Sequence, residues 1–223
     1  MSAEACPPAP IEVELMSDVA VDPSGDVHLR AATIGDADFL AWGLNEAAGG
    51  LFVTMLGKRA PAILGSVVSQ PAHEFSFEYA VVAMKAGSPM GFCQGMPYGT
   101  PSGTDALMRV AGIRSIRAGA VALLGRPVFS ALERHSPGEW YLQAIAVRPQ
   151  ARGSGVGRLL FADAFRRAAV AGCRTLTLDV DAANTRARSL YERLGLEVVY
   201  SSGKAVLLGG AQIHRMSAPV PEG

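Results

Sequence analysis

A glycine-rich segment stands where an apolar run, Trp140 to Val147, gives way to a helical pattern that starts near Gly155. The segment reads Arg152-Gly-Ser-Gly-Val-Gly157. At a junction of this kind, several backbone N–H groups and the positive end of a helix dipole point at one spot. Glycines let an anion approach the main chain, because no Cβ is in the way. The segment therefore predicts a phosphate or pyrophosphate site.

Other interpretations of this segment stay open on the motif alone. A tight turn that binds nothing has the same composition, and a dinucleotide site uses the related spacing G-x-G-x-x-G with an acidic residue further along. Here the spacing is G-x-G-x-G, and only Asp179 or Asp181 could serve as that acidic residue. A Walker loop is excluded, since Gly157 is followed by Arg158 and Leu159.

A second segment, from Asn184 to Leu196, also carries residue types that could do chemistry. Tyr191 has a phenol whose ordinary pKa near 10 keeps it protonated at neutral pH, which suits a general acid. The alternative is a core aromatic residue on the buried face of its helix, and Asn184 seven residues earlier favours the catalytic role. Asn184 stands at a predicted helix start, where an asparagine is also a good N-cap.

Together, the two segments resemble the signatures of the GNAT superfamily of N-acetyltransferases. Arg152-x-x-Gly155-x-Gly157 resembles the acyl-CoA pyrophosphate loop, and the run before it resembles the central strand. The later segment resembles the second signature, with Leu196 where the family most often has Phe. The resemblance covers residues 139–195 and, more loosely, residues 27–45.

This resemblance implies an α/β fold with a mixed, mostly antiparallel twisted sheet and helices on both faces. The sheet would split near the central strand to admit acetyl-CoA. The implied reaction transfers an acetyl group from acetyl-CoA to a primary amine, by direct attack in a ternary complex. The alternative is a GNAT-like module that binds acyl-CoA without catalysis, as a sensor or regulatory subunit.

The resemblance also implies the roles of individual residues. Asn184 would contact the pantetheine arm, and Tyr191 would protonate the leaving thiolate. The family has no fixed general base, so Glu139 and Glu78 are the leading candidates, ahead of Glu133 and His135. The backbone of the central strand would hold the acyl group, and the loop would hold the pyrophosphate: Ile145, Ala146 and Val147, then Arg152, Gly153, Ser154, Gly155, Val156, Gly157 and Arg158.

Composition supports a globular chain with a substantial core, since 49% of its residues are hydrophobic and 18% are charged. The net charge of +0 argues against nucleic acid as a partner. Residues 148–193 are nevertheless rich in arginine, with nine Arg against four acidic residues. A positive segment of this kind suits a polyanionic ligand such as coenzyme A.

The cysteines Cys6, Cys93 and Cys173 follow no metal spacing, so we expect free thiols in a reducing cytoplasm and no metal site. Residues 1–26 contain no signal peptide and predict a poorly ordered leader. We expect no membrane contact, because no apolar run approaches the roughly 18 residues of a span. One domain would then occupy residues 27–218.

The periodicity predicts the elements that position these residues. A strand over Val27–Ala31 precedes a helix capped by Thr33, and a hairpin pairs Phe77–Met84 with Met90–Met96. A helical insertion, residues 98–138, follows the hairpin and would cover the acceptor side of the cleft or form a homodimer contact. Further predicted helices and strands are 51–68 (broken near Pro61), 105–124, 129–135, 155–171, 175–180, 184–194, 197–201, 205–208 and 213–217.

Overall fold

The computed structural model describes residues 27–132 and 135–221. The predicted leader, with Cys6, lies outside these residues, and so does Glu133. Cys93 is a buried free thiol, as expected, and Cys173 is also buried.

Seven strands form one sheet with the order β1-β2-β3-β4-β5-β7-β6. Neighbouring strands are antiparallel except β4 and β5, which run parallel. This arrangement confirms the predicted mixed, mostly antiparallel sheet. The strands are β1 (His28–Ala31), β2 (Ala80–Lys85), β3 (Ser88–Pro97), β4 (Glu139–Val147), β5 (Thr175–Asp181), β6 (Glu197–Ser201) and β7 (Ile213–Pro219).

Helices cover both faces of the sheet. The helices are α1 (Ala37–Ala47), α2 (Leu51–Leu56), α3 (Ala60–Val68), α4 (Thr104–Ala111), α5 (Ser115–Leu124), α6 (Arg126–Leu132), α7 (Val156–Val170) and α8 (Thr185–Arg193). The stripe Leu160, Ala164 and Ala168 of α7 is buried against one face, together with Trp140 and Leu176 of the sheet. On the other face, Phe39 and Leu40 of α1 pack against Phe92 and the alanines of β4.

The sheet splits between its two parallel strands. β4 pairs with β5 only from Glu139 with Thr175 to Leu142 with Leu178. Against β3, the register shifts so that Gln94 faces Ala144 and Gly95 faces Leu142, which leaves Gln143 as the extra residue of a β-bulge. The bulge lies where the pairing of β4 and β5 ends, so the two strands diverge from this point.

Two predicted long helices are each broken by a glycine. Residues 51–68 form α2 and α3, joined by a 3₁₀ turn at Gly57–Arg59, and Pro61 lies in the first turn of α3 instead of at the break. Residues 105–124 form α4 and α5, with Gly112 between them at φ 57°. Both glycines have positive φ, which ends an α-helix at little cost.

Residues 51–68 also correct the expectation about apolar runs. By length and composition alone, Leu51–Val68 is long and apolar enough to cross a membrane, although 44% of the segment is buried inside the protein. The break at Gly57–Arg59 and the packing of Ile63, Leu64 and Val67 in the core show that this segment is a pair of packed helices.

The insertion extends the helical layer that carries α2 and α3. Leu107 of α4 and Ala118 of α5 join Ile63 and Leu64 of α3 in one hydrophobic cluster. The last helix of the insertion, α6, begins at Arg126, three residues before the predicted start at residue 129, and has Pro127 in its first turn. The insertion thus packs beside the α1 layer, and it reaches the sheet through the carbonyl of Leu132, which accepts a hydrogen bond from Arg215 at 3.4 Å.

Candidate active site

A cavity of about 50 Å³ lies at the split between β4 and β5. It passes between the two helical layers, because residues from both faces of the sheet line it. The lining residues are Ala47, Leu142, Gln143, Ala144, Ile145, Leu178, Asp179 and Tyr191. A narrow slot of this kind, between strands that no longer pair, can hold an extended chain against free backbone groups.

Tyr191 projects from α8 into this cavity while its ring packs on the core. The ring is stacked with that of Phe161, with centroids 6.0 Å apart. Burial, with a smaller contribution from the Cys93 side chain, raises the pKa of Tyr191 to about 12. The phenol therefore keeps its proton throughout the neutral range and is available as a hydrogen-bond donor.

Asn184 is the N-cap of α8, since its Oδ1 accepts a hydrogen bond from the Ala187 N–H at 3.1 Å. This confirms one of its two predicted roles, and the pantetheine contact stays a prediction. Ala187, Tyr191 and Leu194 of α8 pack against the core, whereas Leu190 is 40% exposed.

The glycine-rich loop joins β4 to α7 and leaves several backbone donors free. Gly153 has φ 82°, and Gly155, the N-cap of α7, has φ 90°, so both need the conformational freedom of glycine. In the described chain, no backbone acceptor engages the N–H groups of Gly153, Gly155, Val156 and Gly157. The amides of Arg152 and Ser154, in contrast, bond within the turn at 3.2 and 3.5 Å.

Arginine side chains tie this loop to α1. Arg152 donates to Oε1 of Glu46 at 2.9 Å and to the carbonyl of Val147 at 3.2 Å. The guanidinium of Arg148 lies 5.0 Å from the ring centroid of Phe39, within the range of a cation–π contact. Arg158 is exposed in the first turn of α7. The region is thus positive and partly organised before an anion arrives.

The free edge of β4 faces the cavity. Ile145, Ala146 and Val147 pair with β3 on one side, whereas the register with β5 ends at Leu142. Among the residues described, no strand covers the other edge of these three residues. Of the three, Ile145 lines the cavity, and the role of this backbone in holding an acyl group stays a prediction.

Glu139 lies at the start of β4, about 13 Å of strand from the bulge, and does not line the cavity. Its carboxylate accepts hydrogen bonds from the Thr177 hydroxyl and, at 2.9 Å, from the Ser136 N–H. Burial alone would raise the pKa of Glu139, but hydrogen bonds from His135, Thr177 and Ser136 lower it. These hydrogen bonds fit a structural carboxylate.

Glu78 is also outside the cavity, in a 3₁₀ turn where the sequence predicts strand. Its Oε2 accepts hydrogen bonds from the Ala72 N–H at 2.8 Å and from the Ser76 hydroxyl at 3.1 Å. His135 lies beside Glu139, 3.7 Å from its Oε1. The structure therefore brings neither leading carboxylate, nor His135, to the site.

Two polar residues that the sequence analysis did not assign to the acceptor side do line the cavity, Gln143 and Asp179. Each had a weak signal: Gln143 interrupts an otherwise apolar run, and Asp179 stands on a strand whose side chains alternate. Their common position could not be recognised without the parallel register that places β4 beside β5.

Comparison with known proteins agrees with this geometry. Residues 56–196, well over half of the chain, match the sequence model of the acetyltransferase (GNAT) family. Curated protein sequences gave no match.

Solved structures with a similar fold include "The crystal structure of acetyltransferase", at TM-score 0.61 and 22% identity over 86% of this chain and 99% of that one. An N-acetyltransferase from Staphylococcus aureus Mu50 has TM-score 0.61 and 14% identity, over 85% and 99%. A GNAT-family acetyltransferase from Streptococcus pneumoniae has TM-score 0.52 and 16% identity, over 88% and 100%. At such identities, these structures support the fold. The family match, the fold and the motifs agree, and the chain belongs to the GNAT family of acetyltransferases.

Proposed function

We propose that the protein transfers an acetyl group from acetyl-CoA to a primary amine, by direct attack in a ternary complex. The observation that carries this proposal is the split between β4 and β5. It places the free edge of β4 and the phenol of Tyr191 in one slot, and β4 leads directly into the glycine-rich loop.

Acetyl-CoA would occupy both the glycine-rich loop and the slot between β4 and β5. Its pyrophosphate would lie on the amides of Gly153, Gly155, Val156 and Gly157, near the N-terminus of α7, with Arg152 and Arg158 beside it. Its pantetheine arm would follow the slot past Asn184. The thioester would then lie against the main chain of Ile145, Ala146 and Val147.

The chemistry follows from what amide formation requires. The neutral amine attacks the thioester carbon, the C–N bond forms, and the C–S bond breaks with loss of one proton from nitrogen. Backbone N–H groups of β4 would stabilise the oxyanion, and the Tyr191 hydroxyl would stabilise the departing thiolate by donating a hydrogen bond to it. Cys93 is fully buried and burial raises its pKa to about 12, which supports direct attack without an acyl-cysteine intermediate.

An assay of thiol release tests the proposal. The protein is incubated with acetyl-CoA and a panel of small primary amines, and free CoA and N-acetyl product are both quantified. Amine-dependent release that falls in Tyr191→Phe supports the proposed function. Binding of acetyl-CoA without release from any amine would favour the non-catalytic module instead.

We also propose a homodimer formed through α5. The solvent-facing side of this helix carries Ile116 and Leu123, each 72% exposed, and Ile113 just before it is 81% exposed. Apolar patches of this kind often mark interfaces. Light scattering at high concentration should give a dimer that Leu123→Lys dissociates, whereas a wild-type monomer would refute this interface. The buried free thiol of Cys93 fits a reducing compartment, and we propose a cytoplasmic location.

A further inference from the structure

The residues that follow the last pair of β4 and β5 are both polar. Leu142 and Leu178 form that pair, and the next residues on the two strands are Gln143 and Asp179. Both line the cavity. Two hydrogen-bonding side chains thus flank the opening of the slot, one on each strand.

The Asp179 carboxylate is held in a fixed orientation. Its cross-strand neighbour Arg215 donates from Nε to Oδ1 at 3.1 Å and from Nη2 to Oδ2 at 2.7 Å. The Tyr141 hydroxyl donates to Oδ2 at 3.1 Å. Only 5% of the Asp179 side chain and 9% of the Arg215 side chain are exposed. Oδ1 thus accepts a single hydrogen bond from the described residues, so it has capacity for another donor.

Gln143 offers an acceptor that the protein itself does not use. The β-bulge inserts this residue into β4, at the edge of the cavity. Its Oε1 is buried and has no hydrogen-bond partner in the part of the chain described. Burying an amide oxygen without a donor is costly, so a donor supplied by a ligand would recover that cost.

We propose that Gln143 and Asp179 together hold the nitrogen of the acceptor and select primary amines. This inference rests on the proposed function. A neutral primary amine has two N–H groups and one lone pair. One N–H donates to Oε1 of Gln143 and the other to Oδ1 of Asp179, so the lone pair is left to face the thioester carbon.

The proton balance of the reaction is consistent with this arrangement. As the C–N bond forms, nitrogen becomes positive and loses one proton to the Asp179 carboxylate, which returns it to water. The C–S bond breaks, and the thiolate is stabilised by the hydroxyl of Tyr191. A secondary amine has only one N–H group, so it cannot donate to both Gln143 and Asp179 while its lone pair faces the thioester carbon. An alcohol likewise has only one hydrogen to donate.

The test compares a primary amine with its N-methyl derivative as acceptors. We expect the wild-type kcat/KM to favour the primary amine by about tenfold or more, because a site built to bond an N–H rejects an analogue that lacks it. Gln143→Leu and Asp179→Asn should each lower kcat/KM for the primary amine by about tenfold or more and reduce this preference. The melting-temperature shift caused by acetyl-CoA should not change.

Asp181→Asn is the matched control, since Asp181 is an exposed aspartate of the same strand, and its side chain accepts a hydrogen bond only from the local Ala183 N–H in the described chain. It should retain the wild-type preference. Gln143→Leu leaves the ion pair of Asp179 and Arg215 intact, so it tests the inference even if Asp179→Asn folds poorly. If both variants fold and keep the wild-type preference for the primary amine, the inference is wrong while the proposed function stands. A wild-type protein that acetylates no amine would overturn both.

Discussion

Tyr191 illustrates how the surroundings of one residue set its chemistry. Its ring is packed on Phe161, and burial raises its pKa to about 12. A phenol with this pKa is a poor source of a free proton, but it is a stable hydrogen-bond donor. Its contribution in the proposed reaction is therefore to stabilise the developing thiolate.

We predict that Tyr191→Phe lowers kcat by about tenfold to a hundredfold. This loss is at or below the lower end of the rate factor that a general acid contributes. Between pH 8 and about 10 the phenol stays protonated, so its titration should not lower kcat of the wild-type enzyme. The pH profiles of the wild type and Tyr191→Phe should therefore have the same shape in this range. Steady-state rates across this pH range provide the check. An unchanged kcat in the variant would leave Tyr191 as a core residue only.

His73 makes a separate prediction about stability and pH. Burial lowers its pKa in the folded state, below the unfolded value of about 6.5. The unfolded chain therefore binds the proton more readily, and the free energy of unfolding falls as pH drops below about 6.5. Urea unfolding at pH 7.5 and 5.5 should show a loss of stability that is smaller in His73→Asn.

Asparagine is suitable at position 73 because it can still accept the hydrogen bond that Phe75 N–H donates to Nδ1 of His73, at 3.1 Å. His28→Asn is the control, since His28 is exposed, and it should behave like the wild type. Equal losses in His73→Asn and wild type would show that another group controls this pH range.

The sequence could place a candidate site residue only where the spacing of a short motif determines its position. Gly155, Asn184 and Tyr191 belong to short motifs, and each lies where the motif predicts. The choice of Glu139 or Glu78 as the general base depended on distance from the cleft. That distance is set by which strands pair, and the sequence carries no local signal of it.

At the scale of the elements, the N-terminus of α7 depends on a glycine in the left-handed region. Gly155 has φ 90° and open space around its Cβ position, so Gly155→Ala should cost about 1–2 kcal/mol through backbone strain alone. Gly119 lies inside α5, also has open space, and has no positive φ, so Gly119→Ala should stabilise the fold by about 0.5–1 kcal/mol. Chemical denaturation measures both changes, and equal effects would contradict this account.

Helix α7 is also anchored by a buried ion pair. Nε of Arg167 donates to Asp163 at 2.9 Å, its Nη1 donates to the Tyr79 carbonyl at 3.1 Å, and both charged side chains are only 3% exposed. We predict that Asp163→Asn lowers the free energy of unfolding by about 3–5 kcal/mol, because it leaves a buried guanidinium unpaired.

The exposed pair of Arg188 and Glu192 on α8 provides the comparison for Asp163→Asn. Glu192→Gln should cost less than about 1 kcal/mol, since solvent screens this pair. Urea unfolding of the two variants measures the difference. A similar small loss in both would mean that Asp163 does not balance the charge of Arg167.

The existence of most elements could be predicted, whereas the helix breaks at Gly57 and Gly112 could not. Periodicity identifies α1, α7 and the central strand, because a long amphipathic or apolar pattern is a strong signal. The breaks at Gly57 and Gly112 depend on left-handed backbone at these residues. A glycine tolerates that conformation without requiring it, so the surrounding packing decides.

At the scale of the whole molecule, the strand order of the sheet creates the cavity between β4 and β5. One parallel pair within an otherwise antiparallel sheet lets β4 and β5 diverge, and the bulge at Gln143 fixes where they part. The sequence predicts a split sheet only through its resemblance to a family. The family resemblance did not imply where the insertion, α4 to α6, would pack. It lies beside α2 and α3 because it buries its apolar faces there.

The central claim is that the glycine-rich loop and the slot beyond it bind acetyl-CoA, and calorimetric titration tests it most directly. We predict that the wild-type protein binds acetyl-CoA and gives no heat with NAD. We further predict that Gly155→Val, checked for retained folding, loses acetyl-CoA binding. Binding of NAD in place of acetyl-CoA, or acetyl-CoA binding that a folded Gly155→Val variant retains in full, would contradict the account.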